Sequence, residues 1–392
     1  MSRPPSAPAR RPWPPRRLPA LVPTALVLAG FVAAAGSAQE PLPAPATSPA
    51  LPEPPALDEP AWQGFPPRVA PGATAWPRWF AGATGLVMTR TLPAGAATMQ
   101  PVDGTQLSTA AAGATWPGGV DLHLGRWFGP QQRHAVEFIY WGVYNLGGTG
   151  SVTSDAAAIT AIPQAPGATF GGVPASSYLV DASGQQIARS DVVNDVEVNW
   201  IYALGDRPEF QPRDRAVSLM WLAGFRFFQV NDTLALTTVP GDPTLAPALL
   251  SVATNNDLYG GQVGAKFDWR VLPRLRFNTV PKFLIGGNAI TNTTGLADRS
   301  GQQAVYADGT PVHRHETLGV FSWLGSVDTG LAWDVTDHWT LSLGYRVVGV
   351  GNIAQADGQW PSSLDSAASC PCIAAGSSTI IHGGFAGFEG RY

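Results

Sequence analysis

Beyond residue 78 one pattern repeats down the chain: short segments in which apolar and polar residues alternate, separated by stretches rich in Gly, Ala, Thr, Asn, Asp and Ser. A period of two marks a strand with two unlike faces. Ten such segments are expected, each of roughly bilayer-spanning length. They are Trp79 to Met88, Gly119 to Phe128, His134 to Asn145, Asp191 to Tyr202, Ala216 to Val230, Asn256 to Trp269, Leu275 to Ile290, Thr317 to Trp333, Trp339 to Val350 and Thr379 to Phe388. The connections run about 30, 5, 45, 13, 25, 5, 26, 5 and 28 residues, the rhythm of long loops and short turns at opposite ends of a membrane barrel. A soluble sandwich has no reason to keep that rhythm. An even strand count puts both ends of the barrel on the short-turn side, so the termini are expected in the periplasm and the long loops outside the cell. Twelve strands is the alternative, should the stretch Leu146 to Ser190 add a hairpin, because Val173 to Val180 has strand character.

Composition leaves few other folds. Charged residues make up 13% of the chain, against about a quarter in ordinary globular domains, so a fully wetted surface would be hard to build. A mean hydropathy of +0.02 is too low for a helical membrane protein, and no run of about 20 apolar residues follows residue 35. An open sheet edge in hydrocarbon would strand backbone donors and acceptors, so the sheet must close on itself. The expected fold is all-β: a closed antiparallel up-and-down transmembrane β-barrel over residues 78–392, of about ten strands. The net charge of -4 offers no basic patch, and no nucleic-acid partner is expected.

The first 38 residues read as a secretory signal peptide. Arg10, Arg11, Arg16 and Arg17 form a positive region, Leu21 to Ala35 an apolar core, and Gly36-Ser37-Ala38 a small-residue cleavage site. Residues 39–77 are dense in Pro and Ala and are expected to be a disordered, extended linker in the periplasm, able to touch periplasmic or cell-wall components. Together these features place the barrel in the outer membrane of a Gram-negative-type bacterium. Its expected partners are outer-membrane lipid and the barrel-assembly machinery, which would engage a last strand carrying Phe388 and Tyr392.

The alternation also assigns faces. In the fourth strand Val196, Val198, Trp200 and Tyr202 share one parity, and Asp195, Glu197 and Asn199 the other. The apolar set belongs to lipid and the polar set to the lumen. The same rule collects Asp121, Glu137, Asp195, Glu197, Arg226, Lys266, Asp268, Lys282, Asp328 and Arg346 as lumen-facing, with His123, Arg276 and Asn278 beside them. Acids lead in the second to fourth strands and bases in the fifth to seventh and ninth. The third and fifth strands are apolar on both parities for much of their length, which leaves their facing open. Trp79, Trp127, Trp200, Tyr202, Trp269, Trp333 and Trp339, with Phe80 and Phe128, fall at the short-turn ends and are expected to form an interfacial aromatic girdle there. Pro281 cannot donate to a ladder and predicts a bulge or local break in the seventh strand.

Few residues suggest chemistry. His313 and His315 are two apart on an extended segment beside Glu316 and could share a metal, although diagnostic ligand spacing is absent. Solvated loop histidines are the simpler reading, and no metal or cofactor is expected. Cys370 and Cys372 flank Pro371 and could close a tight loop disulfide, with metal binding or pairing between chains as alternatives. No Ser and His pair sits at matching height on neighbouring strands and no nucleophile elbow appears, so the chain reads as no enzyme, with membrane-embedded hydrolysis as a third, lesser hypothesis.

Four stretches resemble a known family: Trp221-Leu-Ala-Gly-Phe-Arg-Phe-Phe, Asn255-Asn-Asp-Leu-Tyr-Gly-Gly-Gln-Val-Gly, Leu343-Gly-Tyr-Arg and His382-Gly-Gly-Phe-Ala-Gly-Phe. They are similar to the planctomycete-type outer-membrane β-barrel proteins called BBP family seven, over about Trp76 to Tyr392. The resemblance implies a barrel and assigns no catalytic residue. Two functions stay open: a pore for passive or gated passage of small solutes, and a sealed structural or surface-display barrel that presents long loops. Opposed acidic and basic walls would suit a polar pore, while a barrel of this size is narrow enough for salt-bridged side chains to plug it.

Overall fold

The computed structural model describes residues 78–102, 104–129, 131–155, 158–204, 217–365 and 373–392. The expected signal peptide, the Pro-rich linker, Cys370 and Cys372 lie outside the described residues. The chain opens with β1 (Trp79–Arg90), β2 (Gly118–Phe128) and β3 (His134–Tyr144). A long connection then carries β4 (Thr149–Thr153), β5 (Thr169–Phe170), β6 (Val173–Pro174) and one helical turn, α1 (Ser176–Leu179). β7 (Ala182–Ala203), β8 (Val217–Pro240), β9 (Ala248–Leu272), β10 (Leu275–Asp298), β11 (His313–Asp334), β12 (Trp339–Ile353) and β13 (Ser377–Arg391) complete it.

Successive large strands pair antiparallel, β1 pairs with β13, and β3 pairs with β7, so ten of the described strands close a ring. The stretch Val173 to Val180 adds no strand to it, which settles the count at ten rather than twelve. Both ends of the barrel sequence meet at the short-turn end, where the backbone N–H groups of Arg78 and Trp79 donate to the Tyr392 carbonyl at 2.7 and 2.9 Å. Pro281 interrupts pairing with β9 locally, between Thr279 and Lys282, while the register on either side is unchanged. The result is a break without a bulge.

The strands are of two heights. β1, β2, β3, β12 and β13 are 11 to 15 residues long, whereas β7 to β11 run 22 to 25 residues. A tilted strand of about ten residues already crosses a bilayer, so five strands stand well clear of the membrane as a curved wall. The outward face of β8 shows where lipid stops: Trp221, Ala223, Phe225 and Phe227 give way to Gln229, Asn231 and Thr233. Just above Phe227, Asn194, Gln229, Asp257 and Asn255 join in a cross-strand row of hydrogen bonds of 2.7 to 3.2 Å. β10 makes the same change from Phe283 and Ile285 to Thr291 and Thr293. Replacing Ala223 by Arg at mid-band is expected to cost about 2–4 kcal/mol, whereas Thr233→Arg on the same face of the same strand costs near zero. Reversible unfolding from lipid vesicles measures both, and equal costs would place the band elsewhere.

The aromatic girdle needs two corrections. Trp79, Trp200, Trp269, Trp333 and Trp339 face outward at the short-turn end, with Trp200 52% exposed, and Tyr202 stacks beside Trp200. Trp127 is only 6% exposed. It points into the barrel against Phe80, ring centroids 6.1 Å apart, because residues 121, 123, 125 and 127 of β2 share the inward parity. Phe128 takes the outward place. The belt is also two-sided, since Tyr144, Tyr259, Trp323 and Tyr345 are exposed at the opposite rim.

Inside the tall wall the inward positions nearest the long loops carry an apolar cluster. Leu234, Leu236, Leu250, Val252 and Leu296 pack with Met99, Leu107, Ile159, Phe170, Tyr178 and Leu179 from the long connections. Burying each Leu is worth about 1.5–3 kcal/mol, so these loops fold over the wall's inner face as a cap. β4 adds to the same end by pairing with the upper half of β7.

Candidate functional site

The inward face below the cap is built in three layers. Nearest the short-turn end lies a cavity of about 240 Å³ that opens towards that end, lined by side chains from β1, β2, β3 and β8 to β13 together with Ile201 of β7. Asp121, Glu137, Lys266, Asp268, Lys282, Asp328 and Arg346 line it. Asp195, Glu197 and Arg226 are fully buried in the wall just above. Acids on β2, β3 and β7 are met by bases from β8 to β10 and β12. Lys266 Nζ lies 2.6 Å from Glu137 Oε1, Lys282 Nζ 2.9 Å from Glu197 Oε2, and Arg226 Nε 2.7 Å from Asp195 Oδ2. Arg346 bridges Asp121 and Asp328, each at 2.7 Å, with its guanidinium over the Trp141 ring.

Towards the mouth, Arg276 joins Asp268 at 3.0 Å and Asp334 at 2.9 Å, while Arg391 pairs with Glu389 at 2.9 Å and His123 Nε2 lies 3.3 Å from Glu389. This explains why Glu389-Gly-Arg-Tyr breaks the apolar alternation of the last strand. Glu389 and Arg391 take inward positions in a charged layer. Charges with partners this close hold the wall in one arrangement, and losing one partner inside a low-dielectric lumen leaves the other uncompensated.

The second layer is apolar. Leu86, Met88, Trp141, Val143, Val193, Phe228, Val230, Leu258, Leu284, Leu324, Val348, Val350 and Ile381 form one cluster in which each is at most 2% exposed. Nine of the ten barrel strands contribute, and Leu146, two residues past β3, joins them. The cluster therefore fills the bore from side to side at about the upper edge of the lipid band. This is the larger addition to the lumen expected from sequence, which collects polar and charged candidates there and leaves the facing of the third and fifth strands open.

The third layer is a buried ionic neck. Arg90 of β1 contacts Asp191 of β7 and Asp232 of β8, both at 2.9 Å and without hydrogen-bond alignment. Arg189 of β7 binds Asp232 at 2.8 Å and Asp357 at 2.6 Å, and its Nε donates to the Ala112 carbonyl at 3.3 Å. Asp357 sits on a short 3-10 turn, Ala356–Gln359, that the β12–β13 connection inserts into the barrel. Thr109 donates to it at 2.6 Å, and Asn256 holds the preceding Ala354 through both its N–H and its carbonyl at 2.8 Å. None of these neck residues stands out in the sequence.

The remaining sequence candidates do not converge. His313 and His315 face outward on the upper part of β11, His315 Nδ1 lying 3.2 Å from Thr293 Oγ1, while Glu316 has the opposite parity. Among the described residues no group of His, Cys, Asp or Glu is arranged to hold a metal ion.

The family model described as "Putative beta barrel porin-7 (BBP7)" matches residues 83–379. No curated protein matches the chain. Among solved structures, the barrel is similar to the outer membrane protease OmpT from Escherichia coli, at 10% identity and a TM-score of 0.45, over 80% of this chain and 97% of that one. It is also similar to the P. putida toluene transporter TodX, at 9% identity and a TM-score of 0.30, over 80% of this chain and 90% of that one. The translocator domain of the autotransporter NalP from Neisseria meningitidis matches at 9% identity and a TM-score of 0.28, over 80% of this chain and 88% of that one. Likeness at this level conveys barrel outline and no activity. The reading of the chain as no enzyme does not stand: it rests on the lack of a nucleophile elbow and of a Ser and His pair, which tests one set of mechanisms, and one of the similar barrels is a protease.

Proposed function

The chain belongs to the beta barrel porin-7 family of outer-membrane β-barrels, and from that premise we propose that it is a barrel sealed at rest, which presents a packed cap on its long-loop side and a charged vestibule on its short-turn side. The observation that carries this reading is the apolar layer. It is made of wall side chains rather than of a removable plug, and an apolar constriction excludes water and ions even where a narrow gap remains. The ionic neck and the cap lie in series beyond it. The orientation proposed with it puts the short turns and both ends of the barrel in the periplasm, with the cap outside the cell and outer-membrane lipid against the outward face.

Recordings from purified protein in planar bilayers test the sealed state. The unmodified barrel is expected to give no discrete current steps in simple salts at moderate voltage, and steady open-channel currents would overturn the proposal. A second reading, gated passage of small polar solutes, is favoured by the porin family and by the charged vestibule that reaches up to the seal. It predicts steps that appear only under a voltage or ligand stimulus.

A further inference from the structure

We propose that the ionic neck is a proton-held latch: the closed cap keeps one proton on Asp191, shared with Asp232, and releases it on opening. The neck sets three carboxylates, Asp191, Asp232 and Asp357, against two guanidiniums, Arg90 and Arg189, all of them buried. Fully ionised, it would enclose one uncompensated negative charge. Its other neighbours bring none to balance it. Thr109 and Ala112 of the first connection, Asn145 and Leu146 after β3, Thr254 of β9 and Ala356 beside Asp357 reach it with hydroxyl and backbone groups alone. A buried carboxylate without a balancing charge gives up its own by taking a proton.

The hydrogen-bond donors decide which group takes it. Asp357 accepts from Arg189 through both oxygens and from the Thr109 hydroxyl. Asp232 accepts from Arg189 Nη1 at 2.8 Å and from the Ala356 N–H at 3.1 Å. Both oxygens of Asp191 are enclosed without any hydrogen bond among the described residues, since Arg90 Nε lies 2.9 Å away but out of line. As a carboxyl, Asp191 becomes a donor itself, and the Asp232 carboxylate is within its hydrogen-bonding range. Burial and then the charge of Asp232 push the Asp191 carboxyl well above the ordinary carboxylate range, whereas Asp232, enclosed as well, is drawn below it by Arg90 and Arg189. The pair lies above the lipid band, Asp191 facing Asp232 across β7 and β8 at the level of Asn231 and Thr233. A proton needs no channel to enclosed atoms, because it exchanges each time the cap opens transiently.

An opened neck is hydrated, and its carboxyl group ionises near the ordinary value of about 4. Between that pH and the raised value of the closed neck, opening releases one proton. The closed state is therefore favoured at low pH, and the opened population rises about ten-fold per pH unit. None of this depends on whether the barrel conducts, so the latch stands or falls apart from the sealed-barrel reading.

Hydrogen exchange of the full chain in lipid nanodiscs, read by mass spectrometry from about pH 5 to 7 and divided by the intrinsic exchange rate at each pH, tests the latch. Protection of the Thr98, Thr109 and Ala161 amides, which are bonded within the cap, is expected to fall about ten-fold per pH unit. In Asp191→Asn the amide donates to Asp232 and does not titrate, so the cap is expected to stay closed with protection flat across the range. Asp191→Ala removes the same titrating group and serves if Asp191→Asn fails to fold. Three results overturn the proposal: flat protection in the unmodified chain, a pH slope that survives the folded variant, or protection that follows sodium concentration instead of pH, which would give the missing charge to a bound cation.

Discussion

Arg189→Met is expected to loosen the cap while the barrel below it stays closed. Arg189 ties β8, the inserted turn of the β12–β13 connection and the first long connection together, through Asp232, Asp357 and the Ala112 carbonyl. Methionine keeps much of its length and none of its charge. Asp191 and Asp232 would then share Arg90, and Asp357 would keep the Thr109 hydroxyl and no cation among the described residues, all four charged groups being buried. Breaking a buried pair by removing one partner costs about 3–5 kcal/mol, because the remaining charge is neither hydrated nor compensated. Limited proteolysis should open the connections at 91–117 and 354–376 in the variant and not in the parent. The double variant Arg189→Met, Asp357→Ala should recover part of the loss, since it removes one of the stranded carboxylates. A double variant no better than Arg189→Met would show that lost packing rather than stranded charge is the cause.

How much of this is legible in the sequence depends on which face of a strand is asked about. In the lipid band the outward side chains are apolar and the inward ones polar wherever the lumen is charged, and there parity alone assigns Glu197, Lys266 and Arg346 to the inner face, where Lys266 and Arg346 line the cavity and Glu197 is buried above it. Parity leaves the faces open for Phe138 to Tyr144 and for Leu222 to Val230, where both sets are largely apolar. That ambiguity is itself the signal of the seal. A strand that is apolar on both faces while crossing a membrane has lipid on one side and a dry interior on the other, and Trp141 and Phe228 lie in those two stretches.

Strand length is underread for a different reason. Bilayer thickness sets how long a crossing strand must be, not how long it can be. The alternation of Leu234 and Leu236, and of Leu250 and Val252, continues past the lipid band into Thr-rich and Ala-rich sequence of the kind usually found in loops. The pattern of a strand is present there, with small and polar residues outward because the outside is water. Trp127 is misplaced when interfacial aromatics are recognised by position at a strand end, without checking parity against Asp121 and His123 in the same strand. The neck cannot be read at all. Arg90, Asp191, Asp232 and Asp357 are spread over most of the chain and are joined only by closure of the ring and insertion of a connection.

Trp141→Ala together with Phe228→Ala is expected to open the seal to water from the vestibule side. The two rings are the largest apolar side chains in the layer, and both flank Asp195, since Trp141 is paired with Asp195 across β3 and β7 and Asp195 with Phe228 across β7 and β8. Removing a buried Phe or Trp side chain costs about 3–5 kcal/mol. A loss of about 3 kcal/mol in the resistance to local opening corresponds to about 100-fold in the population of the opened state. The change can be read at Leu324, a fully buried member of the layer. In a chain with Cys370 and Cys372 replaced by Ser, Leu324→Cys should react with a water-soluble maleimide about 100-fold faster once both rings are gone. Shortening the β12–β13 connection beyond Ile353 should leave that rate nearly unchanged, because the layer is built from the wall. The opposite outcome, fast labelling after shortening the connection and slow labelling in the double alanine variant, would assign closure to the inserted turn, and the barrel would then be a plugged pore rather than a sealed one.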